Sequence, residues 1–426
     1  MPPIEDHPLR YQLTNEMHAR PFPSLDLPCT AVFLAVKRLE SAAGRDTNAD
    51  LEHLISLLDR YGAQHPQPGA SHYSGKIGRH YLKWESHTEF VTYTAFRDGV
   101  SDRAFDPAEF EVFPDDWLKN APGHRMTSAL IRVDQLKDDD SLREELGDWF
   151  VADSIAVARV LDNTAVVAGD FHIDPAGHLR FLVAAAPDAG SRRIGRITQR
   201  LCEIETYKAM SMLGFARVRE MSPTLGALDQ RLTHLVGDMP GGAVKAEDTL
   251  DNLLEISAEL EGMVARSSYR FGATVAYEQI VKQRIHVMRE ERFDGRQTFH
   301  EFMMRRYDPA MRTVRSAKDR LDAMADRAMR AGELLRTRVD VERSAQNQAL
   351  LESMNRRADM QLRLQRTVEG LSVVAISYYA VSLASYVLYP AAEMLDISKG
   401  LLTALVTLPV VGLVFWMIRR VRKKME

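Results

Sequence analysis

The sequence has few of the residues that build covalent or metal-bound frameworks. Its 426 residues include only two cysteines, Cys29 and Cys202, which lie far apart and outside any CxxC or Cys/His cluster. This argues against a disulfide framework and against a structural zinc site, and it is typical of proteins in a reducing cytoplasm.

The sequence also lacks the short motifs of nucleotide-binding folds and covalent nucleophiles. It contains no GxGxxG, no GxxxxGKS/T and no GxSxG. The net charge of −4 argues against a general nucleic-acid-binding protein, which would usually be basic. We predict no cofactor. The residues of the sequence do not indicate an enzymatic activity, although they do not exclude one.

The first ten residues, MPPIEDHPLR, lack the basic and apolar segments of a signal peptide. We therefore expect the water-soluble part of the chain to remain in the cytoplasm.

Two apolar runs near the C-terminus predict a transmembrane helical hairpin over residues 371–418. Residues 371–389 and 401–418 are free of charged side chains, and a helix of about 18 residues spans the hydrocarbon of a bilayer. A basic tail, residues 419–426, follows directly. The positive-inside rule places this tail and the N-terminal domain in the cytoplasm, with the short connecting loop outside.

Polar residues form a stripe along the first apolar run. Its members include Ser372, Tyr379, Ser382 and Tyr386. Polar groups avoid lipid, so the stripe should face protein or water. It either packs against another helix through small residues or lines a pore in a homo-oligomer.

Long helices are expected between the N-terminal domain and the membrane, as a helical region over 189–309 and a stalk over 310–370. Within the helical region, helices are expected at 191–213, 247–265 and about 274–290. Apolar residues of the stalk recur three and four apart, which predicts a seam for a neighbouring helix and favours homo-oligomers. This first seam comprises Val314, Ala317, Leu321, Met324, Ala328, Ala331 and Leu335. A second group comprises Leu350, Met354, Ala358, Leu362 and Leu364. The stalk is either one continuous helix of about 60 residues or a helix with a break near Gly332 or residues 346–348.

Residues 1–188 read as an α+β domain with a largely antiparallel sheet. Apolar or alternating runs predict strands at 30–36, 78–85, 89–96, 127–133, 154–160, 164–173 and 179–185. Helical patches lie at 50–61 and 141–150.

Two local strings carry the candidate functional residues. NEMHARPF contributes Asn15, Glu16, His18 and Arg20. These residues either form a site, as a base, a ligand and an anion clamp, or only pair with and cap one another in a structured N-terminal arm. WESHTEF contributes Glu85, His87 and Glu89 at a predicted hairpin, where they are functional or only form the turn. Asp170, His172 and Asp174 alternate on one predicted strand. Their side chains either bind a metal ion or form a solvent-facing strand edge.

NEMHARPF, WESHTEF and the two-span tail resemble an uncharacterised bacterial family, domain of unknown function 3422, described as predicted membrane-anchored proteins. The resemblance covers nearly the whole chain. It implies a membrane anchor in the bacterial inner membrane and no particular activity.

The architecture also resembles the CorA divalent-cation transporters, in which five subunits surround a pore lined by the first span. That resemblance implies a lining of Ser372, Tyr379, Ser382 and Tyr386, and a possible divalent cation. The chain reads Tyr389-Pro390-Ala391-Ala392 where CorA proteins carry Gly-Met-Asn, so magnesium selectivity does not transfer. Glu393 and Asp396 are candidates for an acidic ring at the outer mouth.

Three hypotheses follow from the sequence. The first is a membrane-anchored protein with a sensing or scaffolding cytoplasmic domain. The second is a CorA-like homo-oligomeric channel or transporter. The third is a membrane-tethered enzyme that acts through NEMHARPF.

Overall fold

The computed structural model describes residues 4–11, 13–14, 22–39, 45–239, 245–394 and 398–425. The chain forms two compact units. The first comprises Met1–Gly241 and Asp251–Ala331, and the second comprises Gly242–Leu250 and Gly332–Glu426.

The described strands of the first unit form one sheet. They are β1 (Cys29–Lys37), β2 (His72–Ile77), β3 (His80–Ser86), β4 (Phe90–Asp98), β5 (His124–Gln135), β6 (Ala156–Val160), β7 (Ala165–Gly169), β8 (Leu179–Ala185) and β9 (Glu291–Arg292). Their order is β2-β3-β4-β1-β5-β8-β7-β6-β9. Only the β5–β8 pair among these strands is parallel. The predicted α+β class with a largely antiparallel sheet is confirmed.

The helices of the chain are of very unequal length. They are α1 (Thr47–Arg60), a 3₁₀ helix (Pro107–Val112), α2 (Asp115–Lys119), α3 (Asp139–Trp149), α4 (Ser191–Asp238), α5 (Ala246–His286), α6 (Phe299–Arg306), α7 (Asp308–Met394) and α8 (Lys399–Met425).

The two faces of the sheet are covered differently, because alternate residues of a strand point to opposite sides. One face is apolar, with Leu34, Leu82 and Trp84 buried together with residues of α1, the 3₁₀ helix and α2. The other face is covered by α4, which packs on β1, β5 and β8. The first face is an ordinary hydrophobic core, whereas the second holds the polar residues described below.

Helices α4 and α5 lie antiparallel and very close together. A Cβ atom on Gly214 of α4 would lie 2.2 Å from the Thr274 Oγ1 atom of α5, so only glycine permits this approach. Further along, Arg231 of α4 pairs with Glu255 of α5 at 2.9 Å.

The first part of α7 packs against α4. Asp229 of α4 accepts hydrogen bonds from Arg320 and Arg327, each at 2.6 Å. Six of the seven residues of the first seam are buried, and Ala317 is partly buried. The prediction that this stretch packs against a neighbouring helix is confirmed.

Two predicted helix limits were wrong. α4 continues through Pro223 to Asp238, and the separate helix expected at 274–290 is part of α5. Of the two alternatives for the stalk, the structure shows the continuous helix, since α7 runs through Gly332 and residues 346–348 without a break. Local glycine and proline signals raise the cost of a helix by a few kcal/mol at most, which long-range packing outweighs.

The second unit contains the two apolar helical segments predicted from the sequence. They belong to helices α7 and α8, which are long and apolar enough to cross a membrane. Only 6% of the residues in each apolar window are buried, whereas a core helix of a soluble protein would bury most of them. This exposure suggests membrane association.

Candidate functional site

Two of the candidate residues of WESHTEF, Glu85 and His87, lie where β3 and β4 meet α4. Lys83 pairs with Thr94 and Glu85 pairs with Thr92 across these strands, so all four residues share the face that α4 covers. Their neighbours Leu82 and Trp84 point to the apolar core on the opposite face. The alternation of the strand therefore brings two charges under a helix.

A cavity of about 240 Å³, which we call the sheet–helix pocket, opens between these strands and the helices. Its polar lining comes from Lys83, Glu85, His87, Thr92, Thr94, Gln199, Glu203, Thr206 and Arg284. Its remaining lining comes from Phe22, Phe33, Phe90, Phe96, Cys202 and Tyr207.

The charged side chains of the pocket form one continuous chain of contacts. The Lys83 Nζ atom donates to Gln199 Oε1 at 2.8 Å and lies 3.3 Å from Glu85 Oε1. The Gln199 Nε2 atom donates to Glu203 Oε1 at 2.8 Å, and Arg284 Nε donates to Glu203 Oε2. Lys83 is only 5% exposed, so these partners replace the water that would otherwise surround its ammonium group.

His87 belongs to the aromatic wall beside the charges. Its ring stacks on Phe90 with a centroid distance of 4.5 Å and meets the Tyr207 ring edge-on at 6.4 Å. Glu85 and His87, both predicted from the sequence, therefore lie in one pocket.

Glu89 lies in a separate, buried ion cluster. Its carboxylate accepts hydrogen bonds from Arg270 and, at 3.0 Å, from the Tyr277 hydroxyl, and Lys37 Nζ lies 4.0 Å away. Burial, then the nearby Arg270 guanidinium, lowers the pKa of Lys37. Burial, then the Glu89 charge, raises the pKa of Tyr277. This arrangement joins α5 to the sheet.

Residues Asn15, Glu16, His18 and Arg20 lie outside the described residues. The described end of their string, Phe22, lines the sheet–helix pocket. The chain after it is held against the start of α4, where Leu25 N donates to Ser191 O at 3.1 Å. A Cβ atom on Gly195 would lie 1.8 Å from Pro23 O, so this contact requires glycine. The last residue of NEMHARPF and three residues of WESHTEF, namely Glu85, His87 and Phe90, thus meet at one site.

The residues of the polar stripe do not share one environment. Ser382 and Tyr386 line a groove of about 920 Å³ between α7 and α8, together with Ser385, Thr403 and Thr407. Ser372 and Tyr379 are exposed outside that groove. Glu393 is also exposed, and Asp396 lies outside the described residues.

The family model described as "Protein of unknown function (DUF3422)" matches residues 5–425 of the chain. The chain belongs to the DUF3422 family. No curated protein and no solved structure matches it.

The described residues of this DUF3422 protein include no group of three or more His, Cys, Asp or Glu side chains placed to hold a metal ion. Asp170 instead accepts a hydrogen bond from Arg180 at 2.6 Å and from the Val151 backbone amide at 3.1 Å. His172 Nδ1 lies 2.9 Å from the Ser154 hydroxyl. Both residues follow the end of β7 at Gly169, so the expected alternation on a strand is absent there, and Asp170 is buried rather than solvent-facing.

Sequence reasoning missed Lys83, Gln199, Glu203 and Arg284. Lys83 carried a signal, because a lysine between Leu82 and Trp84 in an alternating strand marks a polar face opposite a buried one. The other three come from helices more than one hundred residues away along the chain. Nothing local shows which residues of α4 and α5 meet β3.

Proposed function

We propose that this DUF3422 protein is a membrane-anchored sensor whose sheet domain binds a small molecule in the sheet–helix pocket. The two apolar helices near the C-terminus hold it in the bacterial inner membrane. The sheet domain and the basic tail lie in the cytoplasm.

The burial of charges in the sheet–helix pocket carries this proposal. A buried ion pair is often no more stabilising than well-packed apolar residues of similar volume, because both charges lose water. The opposite face of the same strands has such apolar packing around Leu82 and Trp84. Lys83, Glu85 and Glu203 beside an open cavity are therefore better explained by binding than by stability.

The chemistry of the pocket favours binding over turnover. Its charged groups face partners of opposite sign, which suits recognition of a charged ligand. Cys202 lines the pocket, but burial raises the pKa of its thiol, and a neutral thiol is a poor nucleophile.

The orientation rests on the charges at the membrane. The basic residues after the second apolar helix favour the cytoplasm, and the short connection between the helices returns the chain to the same side. The exposed apolar surface of these helices is matched by lipid rather than by water.

A compound screen tests the sensor proposal. We expect at least one compound of a small-metabolite library to raise the melting temperature of detergent-purified full-length protein by several degrees. Saturating ligand at about 100 times its Kd adds roughly 2.7 kcal/mol to stability. The shift should be lost in Lys83→Met, which removes the buried charge but keeps much of the side-chain volume.

Lys76→Met is the matched control, because Lys76 is exposed on the neighbouring strand β2. This variant should keep the full shift. A shift that persists in Lys83→Met would place the ligand elsewhere, and a library without any active compound would count against a sensor.

A homo-oligomeric pore is the second candidate function. Ser372 and Tyr379 are exposed on α7 outside the groove against α8, and Glu393 is exposed near the end of α7. Exposed polar groups on a membrane helix favour contact with another subunit or with water. The second group of apolar residues on α7, from Leu350 to Leu364, is also exposed and suits association between copies of the chain.

One variant, Glu393→Cys, tests both the orientation and the ring. Both natural cysteines are buried, so they give little background. We expect a membrane-impermeant maleimide to label the new cysteine on intact cells. In a closed ring, mild oxidation should also produce cross-linked dimers. Labelling only after permeabilisation would reverse the orientation, and labelling without cross-links would count against the ring.

A further inference from the structure

The charges around the sheet–helix pocket alternate in sign. The contact chain runs from Glu85 to Lys83, then through Gln199 to Glu203 and Arg284. Two carboxylates and two cations thus line one cavity, and their formal charges cancel.

This alternation argues against a ligand with charge of one sign. A phosphate or a dicarboxylate would gain Lys83 and Arg284 but would also approach the carboxylates of Glu85 and Glu203. A metal ion or a polyamine would meet the reverse problem. Bringing like charges together in a partly buried site is costly. A ligand with charge of either sign would therefore lose much of the binding free energy that it gains from the opposite charges.

The cavity is small and has an aromatic wall. Its volume of about 240 Å³ lies below the roughly 300–1,000 Å³ of pockets for drug-sized ligands. Phe33, Phe90 and Tyr207 supply apolar and π surface next to the charges. Aromatic faces accept both apolar side chains and ammonium groups.

We propose that the sheet–helix pocket binds a small zwitterion, such as a free α-amino acid, which carries a carboxylate and an ammonium group on the same carbon atom. This proposal rests on the proposed sensor function. The ligand carboxylate lies near Lys83 and Arg284, and its ammonium group lies near Glu85 and Glu203. Its side chain lies against Phe33, Phe90 and Tyr207.

The ligand can bind without leaving a buried charge unpaired. Each charged group of the zwitterion lies beside a protein charge of opposite sign that already has a protein partner. The two ligand charges therefore continue the alternation of positive and negative groups in the pocket. A free amino acid therefore matches the pocket in sign, in number of charges and in size.

Calorimetric titration of detergent-purified full-length protein tests the proposal. The probes are the twenty common amino acids and, for any that binds, its methyl ester and its N-acetyl derivative. The ester lacks the carboxylate, and the acetyl derivative lacks the ammonium charge. We expect each derivative to bind at least ~30-fold more weakly than its parent, since each has lost one of its two opposite charges and the remaining charge meets like charges in the pocket.

Two variants assign the ends of the ligand. Lys83→Met should strongly weaken binding of the parent amino acid but should change the affinity for the methyl ester little, because the ester has no carboxylate. Glu85→Gln should likewise weaken binding of the parent amino acid but should change the affinity for the N-acetyl derivative little, because that derivative has no ammonium group. Lys76→Met and Glu52→Gln, both at exposed positions, should leave all affinities unchanged.

The outcomes separate the ligand class from the sensor function. Derivatives that bind as well as their parents overturn the zwitterion. So does a different library compound whose binding depends on Lys83, although the sensor function then stands. If no compound binds, both proposals fail. The comparison of parent and derivatives uses the wild-type protein, so a variant that does not fold leaves the test intact.

Discussion

Replacing Glu89 by alanine should lower the free energy of unfolding by about 3–5 kcal/mol, the usual cost of removing one partner of a buried ion pair. The Glu89 side chain is only 1% exposed and accepts hydrogen bonds from Arg270 and from Tyr277. Its loss leaves the Arg270 and Lys37 charges partly buried without their carboxylate. The site joins α5 to the sheet, so the substitution weakens the packing of α5 against the sheet.

Thermal unfolding of the full-length protein measures this effect. With an unfolding entropy of about 2.1 cal/mol/K per residue, a change of this size corresponds to a melting temperature roughly 3–7 °C lower. Glu52→Ala, on the exposed side of α1, is the control and should shift the midpoint by less than about 1 °C. The double variant Glu89→Ala with Arg270→Met should recover part of the loss, because it removes one unpaired charge. A Glu89→Ala midpoint equal to that of the control would contradict the role of the cluster.

Replacing Glu290 by glutamine should make the protein less sensitive to pH between 5 and 8. Glu290 Oε2 accepts a hydrogen bond of 2.9 Å from the His300 backbone amide in the first turn of α6. Its Oε1 atom is buried without a hydrogen-bond partner among the described residues. Burial raises the pKa of Glu290 from 4.5 to about 7.

The sign follows from the raised pKa. The folded protein holds the Glu290 proton more tightly than the unfolded chain does. The stabilising contribution is therefore fully present below pH 4.5 and is lost as the pH rises through about 7. Each unit of pKa shift corresponds to 1.36 kcal/mol, so wild-type protein should lose up to about 3 kcal/mol from this group by pH 8.

Melting temperatures at several pH values between 5 and 8 test this prediction. The difference between Glu290→Gln and wild type isolates Glu290 from the other groups that titrate in this range, because glutamine resembles the protonated acid at every pH. The variant should be the more stable protein at pH 8. Glu291→Gln, exposed on β9, is the neighbouring control and should keep the wild-type slope. Parallel slopes for Glu290→Gln and wild type would show that Glu290 is ionised in the folded protein.

Much of the sheet was predictable, because strand alternation and apolar runs are local. The expected strands at 30–36 and 89–96 correspond to β1 and β4. Strand β2 was missed, since HYSGKI contains a glycine and polar residues and gains its order by pairing with β3. The long helix α4 was cut short in the prediction, because the packing that sustains it past Gly214 involves Thr274 on another helix.

The candidate site was predictable only in part. Glu85 and His87 stood out in an unusual string, and both line the sheet–helix pocket. Glu89, from the same string, proved to belong to a different cluster, because the turn between β3 and β4 directs it towards Arg270 and Tyr277.

Local sequence patterns were sufficient to predict the features that depend on neighbouring residues. These are the apolar helices long enough to cross a membrane, the seam of α7 and the alternation that gives each strand two unlike faces. Long-range packing was needed to show which face of β3 lies under a helix, and which charges meet Lys83 there. Helix and strand periodicity arise from local backbone geometry, whereas the pairing of buried charges depends on contacts between segments more than one hundred residues apart.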